Sequence, residues 1–320
     1  TGGTGQLVKQ RKINYIQGEA KFNNSNSVTV TKIDGRTEEI TFENAILATG
    51  SVPAIIPGLS IDSPLVMDST DALELESVPN RLLVVGGGVI GMELGSVYAA
   101  LGSRVTVVEM MPSLLPGADK DLVNAFQKSV EPKFEKILLK TKVAKLEYSG
   151  KVLKVKLEGE NLEETDLEFD KALISIGRTP VTKNLGLDNT KVKLTEKGFV
   201  KVDLKRQTDD PNIYAIGDIV EGPMLAHKAS AEGKVAVEAI AGHKVAFEPA
   251  VIPGVVYTDP EVAWAGITEI EAKEKGIKVE VARFPWAASG RARTMDRTDG
   301  LTKIILDPET ERILGVGIVG

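Results

Sequence analysis

Three glycines and one glutamate form the pattern in this chain that is most able to do chemistry. Gly86, Gly88 and Gly91 make Gly-x-Gly-x-x-Gly directly after a short apolar, β-branched run, and apolar residues at helical spacing follow them. Such a strand, turn and helix lets backbone N–H groups approach a pyrophosphate closely, and the helix N-terminus and its dipole stabilise the negative charge. The motif therefore predicts a dinucleotide site, although a glycine-rich turn that binds nothing stays open as an alternative.

Glu109 narrows the prediction to one coenzyme. It ends a second apolar stretch, residues 104–108, and follows the glycine motif at roughly the 20-residue interval of this fold. A carboxylate at that place accepts hydrogen bonds from the hydroxyls of an adenosine ribose. No lysine or arginine follows Glu109 directly, so the sequence favours NAD over NADP. A solvated carboxylate at a strand end is the alternative interpretation.

Three further candidates lie at or near the ends of other predicted strands. Asp218 follows a short apolar run, and a helix is predicted to begin eight residues later. Since ligands of open α/β sheets bind outside the carboxyl ends of strands, Asp218 could accept hydrogen bonds from a polyol. Val143 is a candidate apolar wall for an adenine, and Gly177 could bring backbone close to a cofactor. An ordinary Gly-Asp turn and an ordinary strand residue stay open for Asp218 and Val143, and His227 is interpreted as a cap or packing residue.

Positioning these residues requires a mixed α/β chain. Apolar runs predict strands at residues 13–18, 28–30, 39–42, 45–51, 81–85, 104–108, 142–146, 152–157, 172–175, 254–257, 301–306 and 312–319. Helical patterns span about 119–133, 226–240 and 268–275. From residue 252 onward the pattern changes to strands and turns, which predicts a separate small α+β domain.

Composition limits the class of protein. The 320 residues are 42% hydrophobic and 26% charged, as in ordinary globular proteins with two or three domains. A net charge of −6 disfavours nucleic acid and anionic membrane surfaces as partners. The chain has no cysteine and no His/Cys cluster at metal-ligand spacing, so it predicts neither a disulfide nor a metal site. The lack of a spanning apolar run and of a signal-peptide pattern predicts a cytoplasmic location.

Five motifs together resemble the pyridine nucleotide-disulfide oxidoreductases over nearly the whole chain. They are residues 86–95 with Glu109, 175–180, 215–218, 224–228 and 257–263. The resemblance implies an α/β fold in which a Rossmann-like NAD domain is inserted in the remainder of an FAD domain and is followed by a partial α+β interface domain. It implies FAD-domain parts at 1–70 and 198–248, an NAD-binding domain at 71–197 and a partial dimerisation domain at 249–320.

The resemblance also implies an activity with cofactors and partners. It suggests flavin-dependent oxidation of dihydrolipoyl groups with NAD as acceptor, in a homodimer that serves a lipoyl-bearing acyltransferase of 2-oxo acid dehydrogenase complexes. The implied NAD contacts are Gly86, Gly87, Gly88, Val89, Ile90, Gly91, Glu109, Val143 and Gly177. The implied FAD contacts are Ala20, Thr49, Gly50, Ser51, Asp218, Leu225 and Ala226. Ala20 matches a family position that is often glycine.

Glu93 is expected to be half of an ion pair. A carboxylate beside a pyrophosphate site repels the ligand unless a cation neutralises it, and the resemblance supplies a lysine close to the flavin and the redox cysteines. That lysine, the cysteines and the family's His–Glu acid–base pair have no counterpart in this sequence. Because the chain also starts without Met and ends within an apolar run, it is expected to be a piece of a longer protein, inactive alone and unable to hold FAD tightly.

Two other readings stay open at this point. Another disulfide reductase or an NADH oxidase of the same family would share most of these motifs. A non-enzymatic nucleotide-binding protein would account for the lack of cysteine, since it would never have had a redox pair.

Overall fold

The computed structural model describes residues 2–160 and 162–320. Its helices are α1 (Gly2–Gln10), α2 (Ser69–Glu74), α3 (Val89–Ala100), α4 (Lys120–Val130), α5 (Ala226–Ile240), α6 (Glu269–Glu274) and α7 (Gly290–Thr294). Its strands are β1 (Gly18–Asn24), β2 (Ser27–Lys32), β3 (Thr37–Thr41), β4 (Ala45–Leu47), β5 (Ser51–Pro53), β6 (Val66–Met67), β7 (Arg81–Val85), β8 (Arg104–Val108), β9 (Lys136–Leu138), β10 (Thr141–Tyr148), β11 (Leu153–Gly159), β12 (Asp166–Phe169), β13 (Lys171–Ile174), β14 (Arg178–Pro180), β15 (Ile213–Ala215), β16 (Gly254–Val256), β17 (Val262–Gly266), β18 (Glu280–Pro285), β19 (Leu301–Leu306) and β20 (Ile313–Val319). None of the helices in this described part has the length and apolar character that a membrane crossing needs.

The chain folds into two units, each made from two separate stretches. The first unit holds the residues up to Val52 together with Thr179–Glu248. Its β1, β2 and β3 form an antiparallel meander, and β4 pairs in parallel with β15. The core of this unit consists of Phe22, Leu47, Leu187, Val200, Ile213, Ala215, Ile219 and Val220.

The second unit, Pro53–Arg178 with Pro249–Gly320, is built on a parallel sheet in the order β6-β13-β7-β8-β9. Alternate residues of β7 enter different cores. Leu82 and Val84 pack with the helices, whereas Leu83 and Val85 pack with the antiparallel sheet β10-β11-β12. Because both faces are covered, β7 is continuously apolar from Leu82 to Val85 instead of alternating.

The last residues of the chain form an antiparallel sheet in the order β16-β17-β20-β19-β18. Its Val256, Val262 and Val319 belong to the same buried cluster as Leu82 and Val84 of the parallel sheet. The packing against α4 is close, since a Cβ at Gly317 would lie 2.5 Å from a methyl carbon of Leu122. This sheet and the parallel sheet therefore share one hydrophobic core.

The fold class inferred from the sequence is confirmed, whereas some element bounds are wrong. Residues 13–17 were expected in a strand, yet β1 begins at Gly18, and the side chains of Ile13 and Tyr15 are 56% and 76% exposed, outside any sheet of the described residues. The helix expected to reach residue 133 ends at Val130, where a 3-10 turn containing Pro132 takes over. Strand β18, of which most residues are exposed, had no alternating pattern to reveal it.

Candidate functional site

The glycine loop between β7 and α3 combines a closely packed base with an open tip. Gly86 has a φ of +110°, and a Cβ there would lie 2.6 Å from the carbonyl oxygen of Ser175. A Cβ at Gly91 would lie 2.0 Å from the carbonyl oxygen of Gly86. At Gly88, by contrast, no atom of the described residues other than its chain neighbours lies within 4 Å of the Cβ position, and Gly88 as the N-cap residue supplies no side-chain cap to α3. The packing therefore requires glycine at Gly86 and Gly91, and Gly88 leaves space for a ligand against backbone N–H groups.

Glu109 points at this loop. Strands β7 and β8 are hydrogen-bonded neighbours, and the carboxylate that follows β8 accepts a hydrogen bond from the backbone N–H of Gly87 (N to Oε2, 2.7 Å). Its other oxygen accepts from the N–H of Met111 at 2.6 Å. Two backbone donors thus hold the carboxylate in place, and each oxygen keeps a lone pair for a ribose hydroxyl.

A cavity of about 700 Å³ opens beside the loop, a size typical of small-molecule sites. Seven of the predicted NAD residues line it: Gly86, Gly88, Val89, Ile90, Glu109, Val143 and Gly177. Gly87 lies in the loop and Gly91 in the first turn of α3, and neither lines the cavity. The structure thus brings together residues that are far apart in the sequence, and their contact with NAD stays a prediction.

The cavity also contains residues that sequence reasoning missed. Ile56 and Leu59 come from the proline-rich crossing, Met110 follows Glu109, and Thr141 and Lys142 begin β10. Only Met110 carried a signal, its position next to Glu109. Lys142 changes the electrostatic argument, because it is a cation in the cavity although it lies more than thirty residues along the chain from Glu109.

Glu93 lies on α3 and is half-buried. One carboxylate oxygen, Oε1, accepts a hydrogen bond from the backbone N–H of Tyr257 at 2.7 Å. Among residues 2–160 and 162–320, the ion pairs within 4.0 Å include none to Glu93. Oε1 is therefore positioned by the residue that follows β16, and the pairing of Glu93 with a cation stays a prediction.

The residues predicted to contact FAD lie in the first unit and fall into two groups. Ser51 donates its hydroxyl hydrogen bond to Asp218 Oδ2 at 2.6 Å. Helix α5 begins at Ala226, Leu225 before it supplies no side-chain cap, and the dipole at this helix end favours negative charge on a ligand. A cavity of about 650 Å³ joins Ala20 with Thr49 but is not lined by Asp218, Leu225 or Ala226.

The two turns of this region are firmly held. The Thr49 hydroxyl donates a hydrogen bond to the carbonyl of Val181 at 2.6 Å. The N–H of Val181 donates to the carbonyl of Gly50 at 2.9 Å. The buried Glu232 accepts from the backbone N–H of Gly217, the residue before Asp218. The arrangement fits a polyol beside Asp218 and a polar ring edge at α5, which are features of a flavin.

One acidic cluster in the second unit could suggest a metal. The carboxylates of Asp119, Asp121 and Glu269 place oxygen atoms within 4.8 Å of one another. The fully buried ammonium of Lys303 lies between them, at 2.7, 2.9 and 2.5 Å respectively. Arg283 also pairs with Asp121 and Glu269. The cation of this cluster is therefore Lys303, and no metal is proposed.

Charge pairing within the cluster shifts the pKa values of Lys303 and Asp121. Burial alone would lower the pKa of Lys303, but hydrogen bonds to Asp119, Glu269 and Asp121 raise it. Burial alone would raise the pKa of Asp121, but hydrogen bonds from Lys303 and Arg283 hold it below its usual value. Both directions favour the charged forms that the geometry requires.

Comparisons with known proteins agree with this architecture. Residues 2–233 match the family described as pyridine nucleotide-disulphide oxidoreductase, and residues 252–320 match the dimerisation domain of that family. The chain is 48% identical over 320 residues to a dihydrolipoyl dehydrogenase of Vibrio cholerae and 47% identical to one of Haemophilus influenzae. All of this chain is covered in both alignments, and it spans 67% and 66% of those proteins, or about two thirds of their length.

Solved structures show the same fold. The HOCl-induced flavoprotein disulfide reductase RclA from Escherichia coli superposes with a TM-score of 0.87 at 29% identity, covering 99% of this chain and 72% of that one. LpdA from Mycobacterium tuberculosis superposes with a TM-score of 0.85 at 26% identity, covering 95% of this chain and 66% of that one.

Proposed function

The chain belongs to the pyridine nucleotide-disulphide oxidoreductase family, and from this premise we propose that its glycine loop and Glu109 bind NAD. The family uses FAD together with NAD or NADP. The observation that carries the proposal is the hydrogen bond from the N–H of Gly87 to Glu109, which fixes a carboxylate beside the open position at Gly88. The N–H groups at the start of α3 would hold the pyrophosphate, and Glu109 would accept from the ribose hydroxyls.

We extend the proposal to the activity of the relatives, which are named dihydrolipoyl dehydrogenase, as the activity of a longer parent protein, whereas this chain alone, which has no cysteine, is expected to be inactive. This activity is the oxidation of dihydrolipoyl groups with NAD as acceptor. FAD, when bound, supplies the transfer of two electrons between thiols and the nicotinamide. The residues of this chain that would hold FAD are Ala20, Thr49, Gly50, Ser51, Asp218, Leu225 and Ala226.

Three features of this chain would have specific roles at the flavin: Asp218, the N-terminus of α5 and Glu93. Asp218, oriented by the Ser51 hydroxyl, would accept hydrogen bonds from the polyol chain of the cofactor. The N-terminus of α5 would stabilise negative charge on the ring edge that faces Ala226. Glu93, with Oε1 held by the N–H of Tyr257, would present Oε2 to a cation close to the flavin.

The remaining assignments are proposals of the same kind. Residues 1–70 and 198–248 would belong to the FAD-binding part, 71–197 to the NAD-binding part and 249–320 to an interface domain. The match of residues 252–320 to a dimerisation domain supports a homodimer. The lipoyl-bearing acyltransferase partner and the cytoplasmic location follow from the resemblance and the sequence alone.

The NAD site can be tested on the 320-residue chain by calorimetric titration with NADH and NADPH. We expect NADH to bind more tightly. Gly88→Ala should leave the fold unchanged, because the Cβ position is open. It should lower the affinity for NADH roughly tenfold or more, because the added methyl group would displace a phosphate from the backbone donors. Gly290→Ala, a second glycine with an open Cβ position, is the control. Full NADH affinity in Gly88→Ala would contradict the proposal.

The rival functions make different predictions. Another disulfide reductase of the family that uses NADPH should bind NADPH more tightly in the same titration. A nucleotide-binding protein without redox activity should bind NADH, and its full-length form should neither hold FAD at the Asp218 site nor reduce NAD with dihydrolipoamide. Identity near 48% with dihydrolipoyl dehydrogenases, against 29% with RclA, favours the proposed function over both.

A further inference from the structure

Two lysines lie beside the segment that the proposed function assigns to the adenosine ribose. The backbone N–H of Thr141 donates to the carbonyl of Glu109 at 3.0 Å, and that of Lys140 donates to the carbonyl of Met111 at 3.1 Å. Lys142 lines the same cavity as Glu109 and Met110. A phosphate on the ribose would therefore have cations nearby that the sequence around Glu109 does not show.

Both lysines already have carboxylate partners, one on the neighbouring strand β11 and one directly after it. Lys142 is directly opposite Glu158 in the antiparallel register of β10 and β11, and Lys142 Nζ lies 2.8 Å from Glu158 Oε2. Lys140 Nζ lies 3.1 Å from Glu160 Oε2. The hydrogen bond from Lys142 also holds the pKa of Glu158 below its usual value, so this carboxylate is charged at neutral pH.

We propose that Glu158, assisted by Glu160, is a specificity-determining residue that neutralises Lys142 and Lys140 and so disfavours a coenzyme with a phosphate on its ribose. The inference rests on the proposed NAD site and deepens it, because it adds a second group of residues to the choice that Glu109 makes. Glu158 acts through Lys142, and neither glutamate lines the cavity itself.

The proposed discrimination against a ribose phosphate depends on the summed charge of the two lysines and two glutamates more than on the strength of either ion pair. The four side chains are about half exposed, and exposed ion pairs are weak, so Lys142 could leave Glu158 at little cost. The two lysines and two glutamates sum to zero, however, and Glu109 then leaves a net negative charge facing the ribose. If the removed carboxylate were about 8 Å from a phosphate with two charges, Coulomb's law in water without salt would give roughly a fivefold change in affinity.

The test compares NADH and NADPH binding to the 320-residue chain by titration calorimetry. Glu158→Gln should raise the affinity for NADPH relative to NADH about fivefold, and the gain should shrink as salt is added. The matched control is Glu147→Gln, which also removes a carboxylate from an exposed lysine pair, Lys145 with Glu147 at 2.6 Å, outside the NAD cavity. The control should leave the ratio unchanged.

A double variant tests whether Glu158 acts through Lys142. If the released Lys142 receives the phosphate, Lys142→Gln combined with Glu158→Gln should return the NADPH/NADH ratio to that of the unmodified chain. A gain that persists in the double variant, or no gain in Glu158→Gln while the unmodified chain binds NADH, would overturn this inference and leave the NAD site intact. Failure of the unmodified chain to bind NADH would overturn the proposed function and this inference together.

Discussion

The carboxylate of Glu232 accepts a hydrogen bond from the backbone N–H of Gly217, 2.7 Å away, and so holds the turn that presents Asp218. Glu232 is fully buried, and it also receives Arg206 Nη1 and Lys228 Nζ, each at 3.2 Å. Lys228 in addition donates to the carbonyl of Gly217 at 3.1 Å. Both backbone groups of Gly217, which has a φ of +76°, are therefore tied to one buried charge cluster.

Removal of the Glu232 carboxylate should destabilise the first unit strongly. Glu232→Ala leaves two buried cations without their partner, which typically costs about 3–5 kcal/mol. Glu238→Ala on the same helix is the control, because its pair with Lys234 at 4.0 Å is exposed and should contribute less than about 0.5 kcal/mol. Denaturant unfolding followed by circular dichroism measures both, and equal losses in the two variants would contradict the assigned role.

Glu109→Gln should weaken NADH binding while the fold is kept. A glutamine has one acceptor oxygen where the glutamate has two, so it cannot serve both the N–H of Gly87 and that of Met111 as well as the ribose. Loss of one charge-assisted hydrogen bond corresponds to about 1.5–3 kcal/mol, or at least a tenfold higher Kd for NADH. Calorimetric titration measures this Kd, and an unchanged value would show that Glu109 does not contact NADH.

Glu93→Gln should destabilise the second unit less than Glu93→Ala does. The amide oxygen of Glu93→Gln can still accept the N–H of Tyr257, whereas Glu93→Ala removes the acceptor. We expect about 1–2 kcal/mol less stability in the alanine variant and a smaller loss in the glutamine variant. Thermal unfolding of both variants distinguishes them, and the reverse order would show that the hydrogen bond to Tyr257 does not stabilise the fold.

The Lys303 cluster should make the stability of the second unit depend on pH at both extremes. The pKa of Asp121 is lowered on folding, so its stabilising contribution is present above its ordinary pKa near 3.9 and is lost as the pH falls through the lowered value. The pKa of Lys303 is raised, so its contribution is present below about pH 10.4 and is lost as the pH rises through the raised value.

Asp121→Asn isolates the acidic limb of that dependence. The difference in free energy of unfolding between the unmodified chain and this variant should be constant from about pH 5 to neutrality and should shrink on further acidification. Urea unfolding at a series of pH values measures it. A difference that stays constant down to pH 2 would mean that the Asp121 carboxylate is not held in its charged form by Lys303 and Arg283.

The parts of the site that could be predicted from the sequence are those encoded locally. Gly86, Gly88 and Gly91 lie within six residues, and their role follows from the turn between a strand and a helix. Glu109 could be predicted because parallel strands joined by one helix lie side by side, as β7 and β8 do.

The remaining parts depend on contacts that only the folded chain shows. Lys142 reaches the cavity through the β9–β10 segment, which follows Glu109 by more than twenty residues and pairs with it through the backbone. Lys303 meets Asp119 across 184 residues, and Arg206 meets Glu232 across 26. No spacing rule connects such charges, so their pairing could not be inferred before the topology was known.

The shared core of the parallel sheet and the C-terminal antiparallel sheet connects the strand before the glycine loop with β19 and β20. With Val256, Val262 and Val319 in one cluster with Val84, the two sheets should melt in a single cooperative step. A ligand at the glycine loop would then slow amide hydrogen exchange in β19 and β20, although no residue of those strands touches it.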